Sequence, residues 1–207
     1  MKPSKELPNQ NLFFEIADPL KSRPFRLRSR LPAESLPDLK QLAAHSQGMK
    51  EVSAPIQFDA VQGKNIDDFL WTQLVRPACV LSRVVRLLEE NGIDGWSTYP
   101  VKVYDPDGFI VPDYHGFEVS GPAYKADYDR SNVIEKPPPV PKGKSYQIYR
   151  GLYFDESQWD GSDMFWVEGV HVVTERTYRL FRTHKVGNVR FTPLAERETR
   201  VRHVQRD

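Results

Sequence analysis

The chain has 207 residues, of which 39% are apolar and 28% charged. That balance is that of an ordinary globular protein rather than a disordered one, and the chain can bury the core of one large domain or two small ones. The net charge of +1 argues against wrapping nucleic acid, and a single cysteine, Cys79, excludes an internal disulfide and a multi-cysteine zinc site.

The first apolar patch, Leu12, Phe13, Phe14 and Ile16, is interrupted by Glu15 and ended by Asp18-Pro19. It lacks the continuous apolar core of a signal peptide, and no later run reaches the roughly 18 apolar residues of a spanning helix. The expectation is a cytoplasmic protein without membrane contact. In residues 1–66, "NLFFEI", "PFRLRS" and "APIQF" predict short strands between loops, and "ESLPDLKQLAAHS" predicts a helix. This segment is expected to pack on the same domain as the rest.

From Asp67 onward the patterns sharpen. In "RPACVLSRVVRLLEENG", Pro77 suits a first helical turn. Val80, Leu81, Val84, Leu87 and Leu88 follow at helical spacing opposite Arg83, Arg86, Glu89 and Glu90, with Asn91-Gly92 as a stop. The spacing predicts a core-facing helix over 78–91. "WSTYPVKVY" alternates like a strand, Asp105-Pro106-Asp107-Gly108 has the chemistry of a tight turn, and "YHGFEVSG" supplies the return strand. "KPPPVPKGK" is a stiff connector ahead of the strand in "SYQIYRGLYF".

"VHVVTERTYRLFRTHKVGNVRFTPL" reads as strand, helix, strand. Thr174 is the N-cap of a helix over 175–184; Thr177, Leu180, Phe181 and His184 share one face and Arg176, Arg179 and Arg182 lie on the other. The expected fold is α+β, one domain in which an antiparallel or mixed sheet, made mainly by residues 96–192, is covered by the two amphipathic helices. Its core spans 67–194, and 195–207 form a charged tail. An internal echo links "CVLSRVVRLLEENGIDGWSTYPV" with "HVVTERTYRLFRTHKVGNVRFTPL". Both run two apolar residues, Ser82 or Thr174, a helix, a turn with Gly95 or Gly187, and a strand ending at Pro100 or Pro193.

Charge is uneven along the chain. Residues 87–169 hold 7 basic and 15 acidic side chains, against 13 and 9 before them and 9 and 4 after, so the middle segment suits a basic partner. Within it, "GLYFDESQWDGSDMFWVEG" carries Asp155, Glu156, Asp160, Asp163 and Glu168 with no Lys or Arg. An EF-hand frame through Asp160-Gly161 fails, because Val167 falls where a bidentate Glu is required.

A looser metal site on Asp155, Asp160 and Asp163, or paired-carboxylate acid and base chemistry beside Trp159 and Trp166, stays open as a hydrolase alternative at 155–168. Cys79 lies among apolar residues, where an inert thiol is expected. The five histidines show no metal spacing; His115 and His171, near strand ends, are the two that could face a cleft. No phosphate-binding glycine motif occurs, and the Arg-rich pieces "KSRPFRLRSR" and "RETRVRHVQR" accompany no nucleic-acid-binding signature. No catalytic, cofactor or metal residue is therefore expected, and no nucleic acid.

The order "DFLW", "VLSRVVRLLEENGIDGWSTYPVKVYD", "YHGFEVSG", "YRGLYFDESQWDGSDMFWVEG" and "VVTERTYRLFRTHKVGNVRFTPL" resembles a family of bacterial immunity proteins from polymorphic toxin and contact-dependent competition systems, over Asp67 to Leu194. The resemblance implies a cytoplasmic protein that binds and neutralises a cognate toxin, with no catalytic residues to carry over. An inhibitor of a basic toxin needs an aromatic anchor in an acidic field. Trp159 is the expected anchor, framed by Asp155, Glu156, Asp160 and Asp163.

Overall fold

The computed structural model describes residues 12–19, 25–30, 55–63, 66–72 and 78–201; the helix expected in "ESLPDLKQLAAHS" lies outside them. Among the described residues, fifteen strands divide into sheets of seven, five and three strands, accompanied by two α-helices. The five-stranded sheet runs β14 (Arg190–Pro193), β1 (Phe13–Ala17), β13 (Val170–Thr174), β12 (Met164–Val167), β9 (Ala123–Tyr124). The small sheet joins β10 (Asn132–Lys136), β11 (Tyr146–Arg150) and β15 (Glu198–Arg200). The Pro-rich connector is the loop between β10 and β11, and β15 takes up part of the segment expected as a tail.

The seven-stranded sheet runs β3 (Ile56–Gln62), β2 (Arg26–Ser29), β4 (Phe69–Thr72), β5 (Ala78–Leu81), β8 (Tyr114–Val119), β6 (Trp96–Tyr104), β7 (Ile110–Val111). It also closes on itself. β3 pairs in parallel with the second half of β6, from Ile56 opposite Val101 to Asp59 opposite Tyr104, so six of the strands form a barrel. Closure removes the free edges that an open sheet would expose. Alternation along each strand sends one set of side chains inward: Leu27, Ile56, Phe58, Leu70, Cys79, Tyr99, Val103 and Tyr114 fill the interior.

The opposite set on β4, β5 and β8 (Phe69, Trp71, Ala78, Val80, Phe117, Val119) meets Phe14, Ile16, Met164, Trp166 and Val173 of the five-stranded sheet. The other face of that sheet packs Phe13, Phe165, Val167 and Val172 against Leu152, Phe154 and Leu194. With cores on both faces, β4 and β12 are buried at every position.

Helix α1 (Ser82–Glu90) contributes Val84, Val85, Leu87 and Leu88 to the core between the sheets, and α2 (Glu175–Thr183) contributes Phe181. The α+β class holds, but the expected cover of two helices over one sheet does not. Nine residues make a helix only about 13 Å long; the aromatic strand faces cover each other instead. Nor is the sheet confined to 96–192, since β1, β2 and β3 come from the N-terminal segment. The helix expected from 78 begins at Ser82. Ala78–Leu81 forms β5, because a run of four consecutive apolar residues, three of them buried, fits a doubly covered strand as well as a helix face. Helix α2 starts at its expected cap, with Thr174 Oγ1 accepting from the Thr177 N–H at 3.5 Å.

The internal echo is a structural repeat. β4-β5-α1-β6 with β8 and β12-β13-α2-β14 with β1 have the same strand order, β4-β5-β8-β6 against β12-β13-β1-β14. Their registers coincide: Val80 lies opposite Phe69 and His115, and its counterpart Val173 lies opposite Met164 and Phe14. Pro100 opposite His115 corresponds to Pro193 opposite Phe14. The register aligns Thr174 with Leu81 and Asn188 with Gly95, one residue from the alignment that the sequence suggests.

Under it, Asp68 matches Asp163, Trp71 matches Trp166, Arg83 matches Arg176 and Arg86 matches Arg179. The carbonyls of Asp68 and Asp163 accept from the Leu81 and Thr174 N–H at 3.0 and 2.9 Å. Their carboxylates pair with Arg83 and Arg176 respectively. The two units also exchange contacts at equivalent turns: the Asp68 carboxylate accepts from the Gly187 N–H at 2.6 Å, and the Asp163 N–H donates to the Asp94 carboxylate at 2.7 Å.

Candidate functional site

The acidic stretch lies between β11 and β12, on the outer face of the five-stranded sheet. Asp155 caps a single 3-10 turn, Glu156–Gln158. Its Oδ1 accepts from the Ser157 N–H (3.1 Å) and Oγ (2.6 Å), and its Oδ2 from Gln158 Nε2 (2.9 Å). These donors favour the ionised form and hold the carboxyl below the usual aspartate value, the Ser157 hydroxyl most strongly. Asp160 repeats the device: its Oδ1 accepts from the Ser162 N–H at 3.0 Å, which likewise lowers its pKa. The Asp160 N–H donates to the Tyr124 hydroxyl at 3.1 Å. Both carboxylates are exposed, and half-buried Glu156 sits 3.8 Å from Arg130.

Trp159 is neither free nor wholly enclosed. Its ring stands edge-on to Phe13, with centroids 5.1 Å apart, and tilts against Phe165; its Nε1–H donates to the Ser162 carbonyl at 3.1 Å. One side roofs the outer core and the remainder meets solvent.

Asp163 departs from the expected surface. It is 6% exposed and accepts from Thr174 Oγ1 at 2.7 Å and Arg176 Nη1 at 2.9 Å, tying β12 to the start of α2. Its place in the repeat explains this: it is the twin of Asp68, and buried carboxylates need such partners. The frame of the site is therefore Asp155, Glu156, Trp159 and Asp160. With Asp163 held in the core and Asp155 saturated by its own loop, the three aspartates do not converge on a common point. Among the described residues, no group of three His, Cys, Asp or Glu is placed to hold a metal ion. The recess beside the loop, lined by Phe13, Leu152, Phe154, Glu156 and Leu194, has room for about one water molecule.

The structure adds three side-chain pairings that the sequence reading missed. Ser82 Oγ lies 3.0 Å from His115 Nε2 and donates to the Asp113 carbonyl at 3.0 Å. The contact ties the start of α1 to β8, and which of the two atoms donates depends on the imidazole tautomer. No local signal joins these residues, which are 33 positions apart. The Asp68–Arg83 and Asp163–Arg176 pairs could have been found from the repeated D-x-x-W of "DFLW" and "DMFW". Cys79 is fully enclosed in the barrel and burial pushes its thiol pKa far up, which fits an inert residue. His171 packs its ring on Trp166, 3.9 Å between centroids. No helix among the described residues is long and apolar enough to cross a membrane.

Comparison with protein-family models found none that matches the chain, and comparison with curated proteins found no match either.

Proposed function

We propose that the protein is a binding module that neutralises a basic toxin by direct contact, as an immunity protein does, and that the Asp155–Asp160 loop is part of the contact surface. The observation that carries this reading is the preorganised acidic edge: the loop's own donors hold Asp155 and Asp160 ionised and outward, next to the partly exposed ring of Trp159. Charges already fixed in place cost little further ordering on binding, speed encounter with a basic surface and select against acidic ones. The water-sized recess suits recognition of a protein surface better than that of a small substrate.

The test is coexpression of the full chain with the product of any toxin gene adjacent to its own, followed by binding of the purified pair. Rescue of growth together with a tight complex is the expected result. Asp155→Asn with Asp160→Asn should slow association, with a loss that shrinks as salt rises. A toxin that stays active beside saturating protein would overturn the reading.

A further inference from the structure

The hairpin between β6 and β7 ends in an apolar pair held in solvent. Phe109 is 72% exposed and Ile110 56%, in a stretch, "DPDGFIVPD" from Asp105 to Asp113, that has three aspartates and no Lys or Arg. The tip is fixed. Asp105 Oδ1 accepts from the Asp107 N–H (3.0 Å) and the Phe109 N–H (2.8 Å), the Asp105 N–H donates to the Phe109 carbonyl (2.9 Å), and the Gly108 N–H donates to the Asp105 carbonyl (3.0 Å). The far end is fixed too: the Asp113 carbonyl accepts from Ser82 N–H at 2.8 Å and Oγ at 3.0 Å, and Val111 is buried in the barrel. The loop therefore presents Phe109 and Ile110 in an ordered geometry.

Leaving a Phe and an Ile largely in water forgoes the free energy of their burial, and a rigid presentation lowers the ordering cost when a partner supplies that burial. The three carboxylates set the sign of the partner. We propose that the Asp105–Asp113 hairpin is a docking finger for a basic protein surface with an apolar recess: Phe109 and Ile110 enter the recess, while Asp105, Asp107 and Asp113 face Lys and Arg around it. Anionic lipid would be repelled by the same charges. The finger is separate from the Asp155–Asp160 edge and does not depend on it, because β6 leads roughly 27 Å away from Trp96, next to the contact between Gly95 and β12.

The probe is a fluorescently labelled amphipathic Lys/Leu helical peptide, titrated against the full chain by anisotropy, with a Glu/Leu peptide as control. The wild type should bind only the basic peptide. Phe109→Ser with Ile110→Ser should weaken binding at least roughly tenfold without moving the melting temperature. Asp107→Asn with Asp113→Asn should weaken it mainly at low salt, and by more than Asp155→Asn with Asp160→Asn does. Retained affinity in the Phe109/Ile110 variant overturns the finger. Loss of binding only in the Asp155/Asp160 variant also overturns it, while leaving the acidic edge in place as a contact. Binding to phosphatidylcholine vesicles, or self-association in sedimentation, that disappears in the Phe109/Ile110 variant would assign the pair to lipid or to a second copy and overturn the protein partner.

Discussion

Trp159 meets Phe13 edge-on, ring centroids 5.1 Å apart, so the acidic loop closes a core that β1 helps to build. Trp159→Ala should lose about 2 kcal/mol in urea unfolding, below the range for a fully buried Trp because part of the ring is already wet. Trp159→Phe should recover most of it. An unchanged midpoint for Trp159→Ala would mean that the ring adds nothing to that core.

Asp163 and Asp68 should behave as structural twins. Asp163→Ala leaves Arg176 and Thr174 Oγ1 without their acceptor in a site that is closed on the carboxylate side, and Asp68→Ala does the same to Arg83 and the Gly187 N–H. Each should cost about 2–4 kcal/mol, while the Asp155/Asp160 double asparagine variant should unfold close to wild type. Denaturant curves compare the two classes directly.

The carboxyls of Asp155 and Asp160 are both lowered in the folded protein, by donors from Ser157 and Ser162 in the first place. A depressed folded pKa gives stability that is fully present above the unfolded value, near 3.9, and is lost as pH falls through the folded value. Carboxyl NMR titration should place both midpoints below the reference, and Ser157→Ala should raise that of Asp155. Contact with a basic partner should consequently keep its carboxylate charges throughout pH 5 to 8.

Gly95 and Gly161 both have positive φ, +78° and +92°, yet differ in surroundings. A Cβ on Gly95 would overlap the backbone of Met164, whereas a Cβ on Gly161 would meet open space. Gly161→Ala should cost about 1–2 kcal/mol from the left-handed backbone alone. Gly95→Ala adds a backbone clash at the junction of the two repeat units and should cost about 3–5 kcal/mol. Thermal melts that rank the two equally would contradict the close approach.

Legibility in the sequence follows the range of the interaction that decides each feature. "WSTYPVKVY" reads as a strand and is β6 residue for residue, and Thr174 reads as a cap and is one, since alternation and capping act over a few residues. Ala78–Leu81 reads as helix because burial on both faces erases the period of two. Barrel closure is invisible: it depends on β3 and β6 pairing in parallel, Ile56 with Val101 and Asp59 with Tyr104, 45 positions apart. Composition alone marks the acidic edge, and Asp155 and Asp160 are where it places them. Asp163 looks the same in that composition, and only its equivalence with Asp68 separates a buried tie from a surface charge.

The interleaved order of the second sheet has a consequence during synthesis. β1 lies between β13 and β14, antiparallel to both, so Phe13, Phe14 and Ile16 leave the ribosome long before Val170–Thr174 exist to receive them. At roughly 5–20 residues per second the interval is on the order of 10 s. Over that time the barrel-side unit, β4 through β8, can close from local pairings, whereas β1 remains an unpaired apolar strand. Nascent chains halted just before β13 should therefore hold a protease-resistant first unit next to an aggregation-prone leading strand, and slower translation would lengthen that exposure.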